Sequence, residues 1–378
     1  MGGHGEAQSA DLRAHEWQVA VDYRYIHADQ FFFGTRQTTP PTQFFGQPLI
    51  INIHTANLNV TYAATDRFGV RLTVPISYGT QSRFYADTAR HVARAGGIGD
   101  ISLAGTAWLL NPRTHTKGNL AFGTGVKMPT GDNKFADNFF VANGSSVQWP
   151  VDQSIELGDG GWGVIVQGQA FRQVAPRAVA YFTGSYLVSP RNQTDVVRTP
   201  VGKDSAVHFS VADVYTGRLG FSYGLFAEQG VSVSLGGRID GIPYHDLIGK
   251  SDGFRRPGYV VFADPGVTFE RGPSTFTFST PVRVAQRLAP QQLVKPGGMI
   301  GGRSRQGLGL PRLRAAVLKR RRAARETSGR SAGPRRLSAA LLDPDHGTTT
   351  AEPRDRSTSP ANRATLRPSR APVSTSNR

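Results

Sequence analysis

Three stretches of this 378-residue chain bring chemically capable side chains close together. His208-Phe209-Ser210 sets a hydroxyl two positions from an imidazole, as a lipid-cleaving serine hydrolase would need. Such an enzyme calls for an H-x-S-N-G context, and here Val211-Ala212 follow the serine instead. GTGVKMPTGD at 123–132 combines glycines with Lys127 but lacks the G-K-[ST] ending of a phosphate-cradling loop. It reads as a strand running into a loop, and GDGGWG at 158–163 reads as loop rather than cofactor cradle. The nine histidines are scattered, without H-x-x-x-H or a carboxylate cluster at ligand spacing, and cysteine is absent. The residues therefore assign no metal, no cofactor and no enzymatic activity.

The elements that would carry a function divide sharply along the chain. The formal net charge is +17, but residues 296–378 hold 18 Lys and Arg against 5 Asp and Glu. The first 295 residues are nearly balanced. All 36 aromatic residues lie at or before Phe278. Hence 1–16 reads as a polar N-terminal segment, 17–290 as one structural unit, and 296–378 as a basic low-complexity tail, disordered or out of frame. No run of 18 apolar residues exists, which excludes a transmembrane helix. A chain that spans a bilayer would have to do so with strands.

The strand pattern is repeated and regular. Spanning strands need about 9–11 residues with apolar groups at every second position. Val70, Leu72, Val74, Ile76 and Tyr78 alternate with Arg71, Thr73, Pro75 and Ser77, the clearest case. Strands begin at Trp17 and follow near 57–62, 98–110, 120–128 and 162–169. Further ones lie at 177–188, 218–223, 231–240, 259–269 and 275–284; segment 177–188 is apolar on both faces. Periodicity alone fits a soluble β-sandwich equally well. Connection lengths decide: 27–49, 80–97, 130–161, 189–207 and 241–257 are long and polar, and short turns alternate with them. That alternation is the habit of outer-membrane barrels. The predicted fold is all-β, a transmembrane antiparallel up-and-down β-barrel with eleven strands visible of an expected twelve. The first strand runs outward from a periplasmic N-terminus.

Bacterial single-chain barrels have an even strand number, so a twelfth strand is expected soon after residue 290. Instead the chain turns into GGRSRQGLGLPRLRAAVLKRRRAARETSGRS and then a Pro, Ser, Thr and Arg mixture. Loss of the native reading frame near Pro296–Arg303 accounts for this; a genuine disordered basic tail is the alternative. Nucleic-acid binding by the Arg runs lacks an aromatic platform and is not expected. Met1–Glu16 holds no basic region followed by an apolar one, so the export signal such a barrel needs is expected upstream.

The stretches FGVRLTVPISYG at 68–79, GGIGDISLAG at 96–105 and NLAFGTGVKMPTGD at 119–132 resemble an outer-membrane β-barrel family. GDGGWGV at 158–164 and YFTGSYLVSP at 181–190 extend the likeness, which covers about residues 17–290. The family is the one involved in the phenol meta-degradation pathway, whose members are taken to be transporters. The resemblance implies an outer-membrane location and passage of hydrophobic or aromatic compounds. Its partners would be outer-membrane lipid, a small-molecule solute and the barrel-assembly machinery.

Alternation places Asp22, Arg24, Asn57, Asn59, Arg71, Lys127, Gln167, Gln169, Arg218, Arg238, Asp240 and Arg283 on the lumen side. One reading is a network of paired charges filling a narrow barrel. The other is a polar conduit whose basic residues bias it toward anions or polarised solutes. A twelve-stranded bore suits small solutes, with loops 27–49 and 130–161 as lids or ligand sites. Loop aromatics Phe31, Phe32, Phe33, Phe44 and Phe45 would capture an apolar solute or pack on the rim. The sequence thus points to a passive channel or transporter; the alternative is a non-conducting structural or surface-binding barrel.

Overall fold

A computed structural model describes residues 12–39, 45–197 and 207–288, together with Gly302–Arg303 and Arg314–Ala315. Alternating apolar and polar residues satisfy their backbone groups most simply by pairing in one sheet, apolar side chains to one face. The chain does this with eleven strands that cross the barrel wall. They are β1 (Trp17–Ala28), β2 (Ile50–Ala63), β3 (Phe68–Phe84) and β4 (Arg90–Ile98 continuing as Ser102–Trp108). Next come β5 (Gly118–Lys127), β6 (Gly163–Ala175), β7 (Ala178–Val188), β8 (Val214–Phe226) and β9 (Val231–Ile242). Last are β10 (Gly258–Arg271) and β11 (Ser274–Ser279 continuing as Val282–Leu288).

Each strand pairs antiparallel with its sequence neighbour, and the sheet curls through 335°. The fold is the expected up-and-down β-barrel, and the count of eleven matches the sequence reading. Arg314–Ala315 pairs antiparallel with β1 at Asp22 and Val21. The expected twelfth strand just after residue 290 falls on residues outside those described, as does nearly all of the basic tail.

Register makes the two faces explicit. Val19, Val60, Leu72, Leu103, Val126, Val164 and Val188 are successive cross-strand partners over seven strands. Leu72, Leu103, Val126 and Val164 in that row are exposed, as are Phe122, Phe182, Leu219 and Leu235 elsewhere on the same face. The opposite face carries the row Gln169, Thr183, Arg218, Arg238, Phe262 and Arg283. Apolar outside and polar inside inverts a soluble barrel, and only a lipid exterior makes that inversion favourable. Segment 177–188, ambiguous in sequence, obeys the same rule. Phe182 faces out, whereas Leu187 is buried inside and Tyr181 lies beneath the Arg218 guanidinium at 5.4 Å.

One loop differs from expectation. Residues 80–97 form no long loop: β3 runs to Phe84 and β4 starts at Arg90, in unbroken register from Ile76↔Ile98 to Phe84↔Arg90. The polar sequence TQSRF lacks lipid-facing alternation because this ribbon extends past β5, which pairs only with the Ser102–Trp108 part of β4. The connection at 128–162 is long and holds its own hairpin, Ala136–Phe140 with Ser146–Pro150. The wall assignment has a direct check. Leu103→Arg, at mid-belt, is expected to cost about 2–4 kcal/mol in vesicle-folding titrations, whereas the inward Thr106→Arg changes folding less.

Candidate functional site

The interior is organised by a lysine at the end of a strand. Lys127 closes β5 on the inner face, and its side chain is 2% exposed. A buried ammonium is tolerated only when its charge is paired and its donors are used. Its Nζ donates to Asp100 Oδ2 at 2.9 Å, to the Gly161 carbonyl at 2.8 Å, and to Asp159 Oδ1. Asp100 stands in the break of β4, where the chain leaves the ladder and turns its carboxylate inward. The same carboxylate accepts the amides of Gly131 (3.0 Å) and Asp159 (3.2 Å). Thr130 Oγ1 ties the two strand ends together, donating to the Gly99 carbonyl at 2.9 Å and accepting from Ile101 N at 2.8 Å.

This cluster docks residues 151–161 across the lumen. Asp152 accepts Arg256 Nη2 at 2.9 and 3.1 Å, and Gln153 Nε2 donates to the Ser210 carbonyl at 3.1 Å. Ile155 is buried against Gly79 of β3, where a Cβ would come within 2.7 Å of the Ile155 Cβ; only glycine leaves that space. Leu157 approaches Gly97 and Gly99 of β4 in the same way. The Gly160 carbonyl accepts Arg191 Nη1 at 2.6 Å. The segment thus touches β3, β4 and β5 and both later loops. Above it, Val151 and Ile155 join Phe31, Ala28, Leu49, Ile51 and Ala95 in an apolar cluster. Beside it lies a partly open cavity, walled by Leu157, Leu187 and Ile242 and by Asn57, Gln153 and Glu156.

The other lumen candidates fall into hydrogen-bonded and ion-paired groups. Asn59 Nδ2 donates to Asp22 at 2.6 Å, and Thr73 donates to Asn59 at 2.7 Å. Arg71 Nε reaches Thr61 at 3.2 Å, and Gln167 Nε2 reaches Thr106 at 2.6 Å. Arg218 meets the fully buried Asp264 at 2.9 Å, and Arg238 forms a two-pronged contact with Asp240 at 2.9 and 2.5 Å. Arg24 of β1 interacts with Arg238 and Asp240 of β9. Gln169 is buried in the row that ends at Arg283, whose guanidinium lies 5.5 Å from the Phe32 ring. Asn57 is the one candidate that lines the cavity together with Lys127.

The loop aromatics separate. Phe31 and Phe32 are buried, Phe45 is 49% exposed against Phe84, only the backbone of Phe33 is described, and Phe44 lies outside the described residues. Asp100, Glu156 and Asp159 were not picked out as site residues in the sequence. The signal is present for the two aspartates, which lie in GD at 99–100 and GDGG at 158–161; Glu156 lies outside these motifs. His208 and Ser210 bond to the backbone carbonyls of Thr194 and Asn192 rather than to each other.

Two loop carboxyls are pushed in opposite directions. Burial opposes ionisation of Asp152, but the Arg256 guanidinium and the Ser154 hydroxyl and amide outweigh it and hold the carboxyl well below the usual range. Glu156 is pushed up to about 9, first by burial and then by the carboxylates of Asp152 and Asp159, against a smaller opposing pull from Arg256. Its raised value makes docking most favourable below the ordinary glutamate range, with stability lost as pH climbs through about 9.

The comparisons with known proteins bear on the fold. No protein-family model matches the chain, and no curated protein matches it. Among solved structures, an outer membrane channel from Pseudomonas putida F1 aligns with a TM-score of 0.55 at 14% identity, over 83% of this chain and 100% of that one. A Pseudomonas aeruginosa FadL homologue aligns with a TM-score of 0.36 at 10% identity, over 82% and 88% of the two chains. The CymD monoaromatic hydrocarbon channel gives 0.36 at 7%, with the same coverage.

Two outcomes follow from the latch. Lys127→Met strands the carboxylates of Asp100 and Asp159 and is expected to cost about 3 kcal/mol in urea unfolding of the micellar protein. It also speeds chymotryptic cleavage after Leu157, measured against cleavage in the exposed 136–150 hairpin. In the unsubstituted protein that relative cleavage rises from pH 7 to 10, and in Glu156→Gln the rise disappears. At an apolar outer face and a hydrogen-bonded inner one, the chain shares the barrel fold of outer membrane channels.

Proposed function

We propose that the chain is a passive outer-membrane channel for small solutes, with residues 151–161 setting the bore. The observation that carries this reading is the cavity beside the docked loop, within a barrel that is apolar outside and polar inside. A barrel built only for strength would fill its interior with packed side chains, as eight-stranded barrels do. Here the interior is lined by hydrogen-bonded polar groups and retains open space. The Pseudomonas putida protein of like fold is itself an outer membrane channel.

The proposed solutes are small and hydrophobic or aromatic, the class implied by the resemblance to the phenol meta-degradation family. Leu157, Leu187, Val214 and Ile242 give the cavity apolar wall, while Asn57 and Gln153 give it hydrogen-bonding points. Three of the six basic lumen candidates that would favour anions are paired with acids: Lys127 with Asp100 and Asp159, Arg218 with Asp264, Arg238 with Asp240. A charge-compensated path favours uncharged solutes over ions.

Planar-bilayer recordings of the full refolded chain test the proposal. Small, weakly ion-selective steps are expected, with larger steps from Lys127→Met. Electrically silent insertion of both proteins, with correct folding shown by heat-modifiable mobility, would contradict it.

A further inference from the structure

Beside the loop, two cavity-lining residues, Glu156 and Arg255, each keep a buried polar atom without a hydrogen-bond partner among the described residues. Glu156 lines the cavity, and its Oε1 is buried with no hydrogen-bond partner among the described residues. A buried polar atom in that condition is costly unless something fills its valence. The other ionic groups facing the cavity are already committed. Lys127 is spent on Asp100, Asp159 and the Gly161 carbonyl, and Arg255 makes a two-pronged contact with Asp246 at 2.7 and 2.6 Å. Arg255 keeps its Nε–H without a hydrogen-bond partner, but its charge is already balanced by Asp246. The remaining wall mixes apolar Leu157, Leu187, Val214 and Ile242 with the uncharged polar side chains of Asn57, Thr73, Gln153 and Ser210.

We infer that this cavity is a binding site for an uncharged, mainly apolar solute carrying one hydroxyl, which exchanges hydrogen bonds with the Glu156 carboxyl. The inference rests on reading the lumen as a solute path and names the chemistry that path selects. Burial beside Asp152 and Asp159 keeps Glu156 protonated at neutral pH, so its O–H donates while its carbonyl oxygen accepts. A hydroxyl answers both through a single atom. A carboxylate would meet Asp100 and Asp159, whose cation Lys127 is already shared between them. An ammonium would find at Glu156 a neutral acid rather than a counter-ion. The apolar body of the solute would lie along Leu157 and Leu187, replacing water that the wall binds poorly.

Fluorine NMR of the refolded full chain in micelles, with a matched set of probes, tests this. The probes are 4-fluorobenzyl alcohol, 4-fluorotoluene, 4-fluorobenzoate and 4-fluorobenzylamine, which share a ring and differ in the polar group. The alcohol is expected to bind about tenfold more tightly than the toluene, as one satisfied hydrogen bond allows, and more tightly than either ion. Glu156→Leu is expected to remove that preference. Glu156→Gln, which still donates and accepts, keeps it within about threefold. Equal binding of alcohol and toluene, a preference for the benzoate or the amine, or an unchanged preference in Glu156→Leu would overturn the inference. Conductance of the same preparations separates the two readings. Conductance without alcohol preference removes the site alone; alcohol preference without conductance keeps the site and removes the channel.

Discussion

The interior of this barrel depends on one ammonium group. Lys127 sits where lipid-facing strand gives way to loop, almost fully buried, and a lone charge there would be untenable. Its partners are therefore fixed in place: Asp100 from the break in β4, and Asp159 with the Gly161 carbonyl from the loop ahead of β6. Asp100 in turn holds the amides of Gly131 and Asp159. Four points of the chain, from 100 to 161, are thereby drawn to one place. The segment between Val151 and Gly161 is held with them, against Gly79 of β3 on one side and Ser210 and Arg256 of the later loops on the other.

The rest of the lumen follows the same electrostatic rule. Arginines stand on β8 and β9 in direct register, Arg218 opposite Arg238. Like charges so placed repel, and the repulsion is relieved by an acid for each: Asp264 for one and Asp240 for the other. Asp240 also interacts with Arg24 of β1. The inner surface is rich in charge yet close to neutral in its local groups. Such a surface holds water and hydrogen-bonds solutes without trapping either sign of ion.

The wall of this fold is readable in the sequence because lipid and lumen impose opposite solvents on alternate residues. Val70 to Tyr78 show that pattern without help from any other strand. Where the chain rises past its neighbours the two solvents become one, and the pattern vanishes. That is why 80–97 looks like loop and is a ribbon. Segment 177–188 looks ambiguous because Tyr181 and Leu187 are apolar groups turned inward, one under an arginine and one toward the cavity. The latch itself is hardest to see. Lys127 reads correctly as an inward residue, but its acids lie in Gly-Asp turns whose local chemistry is already explained by turning the chain. Only pairing in space gives them a second role, and Glu156 acquires its raised affinity for a proton from the same docking.

The central claim is that residues 151–161 are held within the barrel by Lys127 rather than resting loosely at its mouth. Amide hydrogen exchange of the refolded chain in micelles measures this directly. The amides of Ile155, Asp159 and Gly161 each donate within the docked structure. They are predicted to exchange nearly as slowly as those of β3 and β5, and to lose that protection in Lys127→Met. Exchange as fast as at the tip of the exposed 136–150 hairpin, or protection unchanged without the lysine, would contradict the account.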